Sequence, residues 1–373
     1  MKTIIYFVSE DWYFCSHRLP IARKALIKGF KVVVVAKVSK YGSVIESEGF
    51  ELAPIEIQRG GWNLSSEFKT ILALYAYYKK YKPDIVHHVA IKPVIYGTIV
   101  ARVIGSIKVV NAMAGLGFVF ISNKKKVKLL RFFIHKLFRF LFNNKNVRLI
   151  LQNKDDLRYF LKNKLIKKDL VTIIRGSGVD INKFIPAKEP AGIPIVMLAS
   201  RMLWDKGVGE FVDAAKALKS ERIKARFILV GINDSENPAS ISSAQLHEWD
   251  EDGIVEWWEG KNDMHKVLIQ ASVICLPSYR EGLPKVLLEA ASCGRPIIAS
   301  DVPGCREIVH NGKNGILVLL KDVNSLINAI RDLINNTDKR KIMGAEGREV
   351  VEKEFSEEIV GVQTLRLYKK MLA

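Results

Sequence analysis

Short apolar runs and longer amphipathic stretches take turns along the first half of the chain. Thr3–Val8, Lys31–Ala36, Ile85–His88, Lys108–Ala112, Val147–Leu151 and Val171–Ile174 have the length and apolar content of buried strands. Between them, His17–Lys28, Ser65–Tyr81, Val94–Ile104, Lys124–Phe142 and Lys154–Leu161 read as helices. Alternation of this kind predicts parallel strands joined by right-handed crossovers. The pattern breaks at residues 184–194, where Pro186, Pro190, Gly192 and Pro194 read as a linker. It then restarts with strands at Ile195–Ala199, Arg226–Val230, Ile254–Trp257, Val273–Leu276 and Pro296–Ala299. Helices begin near Lys206, Asp263, Pro284 and Asp322. The expected architecture is α/β: two Rossmann-like, doubly wound domains facing across a cleft lined by the carboxyl ends of both sheets. The boundaries read as 1–185, 186–355 and a final helix, 356–373, returning to the first domain.

Composition agrees with two globular domains. The 373 residues exceed one ordinary core, and 49% hydrophobic with 26% charged residues excludes a disordered chain. Cys15, Cys275, Cys293 and Cys305 show no CxxC spacing and no clustered histidines, which argues against a zinc site or a disulfide framework. The first apolar run ends at Glu10 and Asp11, too soon for a signal peptide, and no stretch approaches the ~18 to 20 apolar residues of a spanning helix. The expected location is the cytoplasm. Charge changes the picture further. Residues 1–185 hold 33 Lys+Arg against 12 Asp+Glu, an excess of 21, whereas residues 186–373 hold 25 against 27. A lopsided excess predicts that the first domain meets an anionic surface.

Candidate chemistry concentrates in the second half. Ser278-Tyr279-Arg280-Glu281-Gly282-Leu283-Pro284 follows an apolar strand and opens a helix that holds Glu289. A helix N-terminus offers backbone N–H groups to phosphate, and two nearby carboxylates are suited to gripping sugar hydroxyls. The alternative is a Glu281 that caps the helix and a Glu289 on the surface. In Ser200-Arg201-Met202-Leu203-Trp204-Asp205-Lys206-Gly207, Arg201 forks onto two phosphate oxygens and Lys206 acts as a point charge, the grip a leaving diphosphate needs. Two solvated cations are the plainer reading. Arg175-Gly176-Ser177-Gly178-Val179-Asp180 reads as a tight turn near the cleft.

Together these segments resemble the family-four glycosyltransferases, most strongly from Pro194 to Val318. Glu281 and Glu289 meet the Glu-x7-Glu motif, and Arg201, Lys206 and Gly207 meet Arg-x4-Lys-Gly. Gly178-Val179-Asp180 precedes the linker, and Ala299 to Glu307 with Asn314-Gly315 matches the closing pattern. The resemblance implies a retaining, metal-independent GT-B enzyme that needs no cofactor beyond its nucleotide-sugar co-substrate. It implies that Arg201 and Lys206 bind the donor diphosphate, Glu289 the ribose and Glu281 the sugar, with the amides of Gly282, Leu283 and Pro284's turn beside it. Gly260 and Lys261, within Glu259–Asp263, would border the base. The chain departs from the family at Ser9–Arg18, where a double glycine is common, and at Asn111–Gly117, where a histidine is common. His17, expected at a helix start beside the cleft, is a candidate replacement. Of His87 and His88, one is expected to face the cleft, with His88 read as structural.

Lys124–Phe142 contains no acid. Lys124, Lys128, Arg131, His135 and Arg139 share one helical face, Val127, Leu130, Ile134, Leu137 and Leu141 fall away from it, and phenylalanines add bulk. Lys124, Lys128, Arg131 and Arg139 are the expected membrane and acceptor contacts, placing the protein peripherally on the inner face of the cytoplasmic membrane. A basic face that is merely solvated is the alternative. Ser16–Pro20 and Gly231–Pro238 resemble bacterial enzymes that add N-acetylgalactosamine or related sugars to undecaprenyl-diphosphate-linked saccharides. The implied partners are a UDP-sugar, a polyprenyl-diphosphate-linked acceptor and an anionic membrane, with no nucleic acid. Transfer of GlcNAc, FucNAc, Glc or Gal in O-antigen, capsule or exopolysaccharide synthesis is the alternative within the family. A basic nucleic-acid binder lacks a recognised module, and a nicotinamide dehydrogenase lacks Gly-x-Gly-x-x-Gly after its first strand.

Overall fold

The computed structural model describes residues 1–373 apart from 59–62, 114, 116–119, 121–124, 236 and 262, and apart from the side chains of 125 and 126. The chain divides into two units, Met1–Ser177 with Glu358–Ala373, and Gly178–Glu357.

Unit 1 is built on seven strands: β1 (Thr3–Glu10), β2 (Lys31–Lys37), β3 (Glu51–Pro54), β4 (Ile85–Val89), β5 (Lys108–Met113), β6 (Val147–Leu151) and β7 (Val171–Ile173). Their order is β3-β2-β1-β4-β5-β6-β7, and every neighbouring pair is parallel. Successive side chains still alternate: Ile5 and Phe7 enter one apolar cluster, Ile4, Tyr6 and Val8 the other. Both faces are covered, so the strand reads as a continuous apolar run rather than as apolar–polar alternation. β3 escapes the sequence pattern because it is a four-residue edge strand ending in proline.

Unit 2 holds β8 (Ile195–Ala199), β9 (Arg226–Val230), β10 (Glu256–Trp258), β11 (Val273–Leu276), β12 (Ile297–Ser300) and β13 (Gly315–Val318), in the order β10-β9-β8-β11-β12-β13. All pairs are again parallel. The order reverses direction between β8 and β11, as it does between β1 and β4 in unit 1. Ligands of open α/β sheets bind outside the carboxyl ends of strands at such a switch point.

The expected boundary at residue 185 moves. Unit 2 begins at Gly178, and the proline-rich stretch belongs inside it. The Phe184 carbonyl accepts hydrogen bonds from Ser292 Oγ (2.6 Å) and Arg348 Nη1 (2.8 Å), which ties the segment to unit 2 before the prolines begin. The last helix, Glu357–Leu372, lies with unit 1: its fully buried Tyr368 bonds His87 and Tyr6. Among the described residues, no helix is long and apolar enough to cross a membrane.

Candidate active site

β8 is buried along its whole length and ends at Ala199, after which the chain turns out of the sheet. The helix expected to begin near Lys206 runs over Val208–Ser220, after a 3-10 turn, Trp204–Lys206, and Gly207. Gly207 has φ +74°, and a Cβ there would lie 2.1 Å from the Pro277 carbonyl oxygen. Only glycine lets the β8 loop press so closely on the loop after β11. The two loops are also hydrogen-bonded: the Asp205 carbonyl accepts from Tyr279 N–H (2.9 Å) and Ser278 Oγ (3.2 Å).

This junction brings Lys206 and Glu281 together across the switch point. Lys206 Nζ donates to Glu281 Oε1 at 2.5 Å, with both side chains largely buried. Arg201 Nη1 donates to Asp234 Oδ2 at 2.5 Å, and Asp234 sits in the loop after β9. Three adjacent strands thus deliver their loops to one place. Glu281 is held from below by Gly304, whose N–H donates to the Glu281 carbonyl and whose Cβ, if present, would lie 2.6 Å from the Gly282 carbonyl oxygen.

Pro284 immediately precedes the helix Lys285–Ser292. Glu289, one turn further on, is buried rather than on the surface: only 9% of the residue is exposed. Burial pushes its carboxyl pKa up, and Lys285, 3.7 Å away, draws it back down in part. Gly282 and Leu283 bridge Glu281 to this helix and are half-buried. Gly260 and Lys261 are exposed just beyond β10, beside the loop after β9, to which the Trp258 carbonyl bonds through Gly231 N–H (3.2 Å). Asn262 lies outside the described residues.

In unit 1 the histidine expectations change. His17 does not open a helix; it closes the first one, Asp11–His17, because the turn of chain starts directly at the end of β1. Its ring stacks on Tyr13 with centroids 4.3 Å apart, and its Nδ1 pairs with Ser16 Oγ. His87 and His88 are both buried, so neither faces solvent. His88 bonds Tyr78, 2.7 Å, and Asn111, 2.7 Å, and burial brings its pKa down to about 4.

The basic segment is the helix Lys125–Phe142. Ile134, Phe138, Leu141 and Phe142 pack into the core, while Leu129, Leu130, Phe132, Phe133 and Phe140 are exposed. Apolar residues therefore do not all fall on the side away from the cations: the outer surface mixes rings with Lys128, Arg131, Lys136 and Arg139. Lys136 Nζ lies 4.5 Å from the Phe132 ring centroid, and Arg139 donates to the Asn163 carbonyl. Lys124 lies outside the described residues, as do Ala114, Leu116 and Gly117 of the stretch after β5.

Sequence reasoning missed Asp234 as the partner of Arg201, and the buried group after β4. There Lys92 donates to Glu67 (2.6 Å) and Tyr96 to the other Glu67 oxygen (2.7 Å), next to Ala90, whose φ of +77° is rare for a non-glycine residue. The available signal was position, since Ala90 and Lys92 directly follow a strand at the switch point.

Family models account for both halves. "Glycosyl transferases group 1" matches residues 180–350, which contain the loops of Arg201, Lys206, Asp234 and Glu281, and "Glycosyl transferase 4-like" matches residues 3–154. The chain is a glycosyltransferase whose second half is of the group 1 family. The transferase is 27% identical over 368 residues, 95% of each chain, to N,N'-diacetylbacillosaminyl-diphospho-undecaprenol alpha-1,3-N-acetylgalactosaminyltransferase of Campylobacter jejuni. It is 29% identical over 282 residues to UDP-Gal:alpha-D-GlcNAc-diphosphoundecaprenol alpha-1,3-galactosyltransferase of Escherichia coli, covering 72% of this chain and 70% of that one. Its fold is GT-B: sucrose-phosphate synthase from Thermosynechococcus elongatus superposes with a TM-score of 0.82 over 100% of this chain and 99% of that one, at 20% identity.

Proposed function

We propose that the transferase moves an N-acetylhexosamine, GalNAc from UDP-GalNAc, in α linkage onto a polyprenyl-diphosphate-linked saccharide, with retention and without a metal. The observation that carries this reading is the Lys206–Glu281 junction at the β8/β11 switch point, with Arg201 one loop away and Glu289 buried in the adjoining helix. The choice of sugar and acceptor is supported by likeness along 95% of the chain to an enzyme whose name specifies both.

In this reading the donor diphosphate takes over hydrogen bonds that Arg201 and Lys206 now give to Asp234 and Glu281. Released from Lys206, Glu281 accepts from sugar hydroxyls, and the amides of Gly282 and Leu283 donate nearby. Glu289 holds the ribose, and Gly260 and Lys261 border the base. The acceptor oxygen bonds to the sugar's anomeric carbon on the face from which the diphosphate departs. The C–O bond to the diphosphate breaks, and a departing phosphate oxygen takes the acceptor proton. The protein's part is electrostatic: fixed cations stabilise charge as it develops on the leaving group. The exposed rings and cations of Lys125–Phe142 hold unit 1 to the inner face of an anionic membrane, where a lipid-linked acceptor resides.

The test is a donor screen with purified protein, a panel of UDP- and GDP-sugars, a short polyprenyl-diphosphate-GlcNAc-type acceptor, and EDTA throughout. Product from UDP-GalNAc alone supports the reading. Product from UDP-Gal alone moves the specificity toward that of the Escherichia coli relative, and product only after metal is restored refutes metal independence. Absence of UDP binding removes the diphosphate role of Arg201 and Lys206.

A further inference from the structure

The proline-rich stretch after Ile185 lines a cavity of about 680 Å³ inside unit 2. Pro194, Ser272 and Pro296, which directly precede β8, β11 and β12, form part of its wall. The cavity therefore lies at the amino ends of those strands, whereas the loops of Arg201 and Glu281 leave from the carboxyl ends. Its volume is within the range of small-molecule sites.

Three arginines line the cavity, and their bonding separates them. Arg340 is saturated: Nε and Nη2 donate to Glu189, and Nη1 donates to the carbonyls of Leu333 and Ile334. Arg348 is likewise engaged, with Glu352 and with the carbonyls of Phe184, Ser292 and Ile181. Arg295 differs. It is 3% exposed, its Nη2 donates to the carbonyls of Ile269 (2.6 Å) and Lys188 (3.3 Å), and its Nε is buried with no hydrogen-bond partner. Among the described residues, no carboxylate pairs with it. Glu189, the carboxylate in the wall, is committed to Arg340.

A buried guanidinium is ordinarily balanced by an acid, because an uncompensated charge and an unpaired N–H are both costly away from water. The burial of Arg295 pushes its pKa below the usual arginine value, and the more distant charges of Cys293 and Glu189 offset this only in part. Lys188 adds a second cation at the exposed edge, and Lys341 a third, in an exposed pair with Asp338. Prolines, alanines and glycines, with Ser272 and Thr337, supply the remaining wall. A phosphate monoester carries close to two negative charges, which suits two or three facing cations better than a carboxylate does.

We infer that this cavity is a second ligand site that takes a small organic phosphate, its oxyanion on Arg295 and Lys188 and its organic part against the proline-rich wall. Such a ligand reaches the enzyme at a place separate from the donor loops and needs no transfer reaction to bind.

The full chain is titrated calorimetrically with glucose 1-phosphate and with inorganic phosphate, both with UDP held in excess so that Arg201 and Lys206 are occupied. The expected result is saturable one-site binding of the ester, tighter than that of inorganic phosphate. Arg295→Gln should weaken it at least tenfold. The double variant Lys188→Ala/Lys341→Ala alters exposed side chains only, and it should weaken binding several-fold even if Arg295→Gln folds poorly. Failure of both phosphates to bind, displacement of the ester by UDP, or unchanged affinity in the lysine variant overturns the inference. Equal binding of ester and inorganic phosphate overturns its organic half.

Discussion

Glu281 accepts one hydrogen bond from Lys206 and offers its remaining lone pairs to whatever enters the β11 loop. Arg201 is the more exposed of the two cations and spends one Nη on Asp234. These positions predict separable effects. Glu281→Ala is expected to cut turnover about 100-fold or more, the scale of losing one preorganised electrostatic contact, with little change in UDP affinity. Arg201→Ala is expected to weaken UDP binding as well as turnover. Initial rates and UDP titrations on both variants, with melting temperatures as a folding control, check this. Near-normal turnover in both removes these residues from the site.

Two elements of unit 1 carry predictions of their own. The outer surface of Lys125–Phe142 combines Lys128 and Arg131 with exposed Phe132 and Phe133. Each basic residue near an anionic surface contributes ~1 kcal/mol, so Lys128→Ala/Arg131→Ala should lower the affinity for phosphatidylglycerol vesicles by a factor on the order of 30. Phe132→Ser/Phe133→Ser should lower it at high salt too, where the charge contribution is screened. Co-sedimentation at two salt concentrations reads both. The second element is the join between β1 and the loop after β2. Asp11 is fully buried and accepts from Ser39 N–H and Oγ and from Tyr41 N–H. Burial alone would raise its pKa, but these hydrogen bonds prevail and hold it below the ordinary carboxylate value. The stabilisation is thus present above the unfolded pKa and disappears as pH falls through the lower folded value. Asp11→Asn is expected to cost about 2 to 3 kcal/mol at neutral pH. It should also flatten the acid limb of melting temperature against pH, and an unchanged acid limb would contradict the assignment.

At the scale of the whole chain, unit 1 is assembled from both ends of the sequence. Tyr368 is fully buried against Phe30, Tyr6 and His87, so the last helix completes a core begun by β1. Tyr368→Ala is expected to destabilise unit 1 by about 3 to 5 kcal/mol while leaving UDP affinity, a property of unit 2 in the proposed reading, within twofold. Differential scanning calorimetry with a UDP titration on the same sample separates these. Loss of UDP binding below the melting transition would instead make the donor site depend on unit 1.

The alternation of apolar runs and amphipathic stretches was enough to read two parallel α/β sheets, because a strand buried on both faces is predominantly apolar. Arg201, Lys206, Glu281 and Glu289 could be picked out as candidates because they sit in the loops, or for Glu289 the helix, that follow apolar strands, and the roles proposed for them come from the family resemblance. Tertiary structure alone decided what those residues touch. Arg201 and Asp234 lie on separate loops, as do Lys206 and Glu281, and only parallel pairing brings those loops together. The edge strands β3 and β13 do not declare themselves, because β3 holds only two apolar residues before Pro54 and β13 opens on Gly315, which reads as part of a turn. The prolines at 186–194 announce a break in regular structure, yet nothing local says to which core a break attaches. That was decided by Ser292 and Arg348, a hundred and more residues away, whose donors meet the Phe184 carbonyl. Local propensity follows from neighbours in sequence, whereas hydrogen-bond partners and the ownership of a loop follow from neighbours in space.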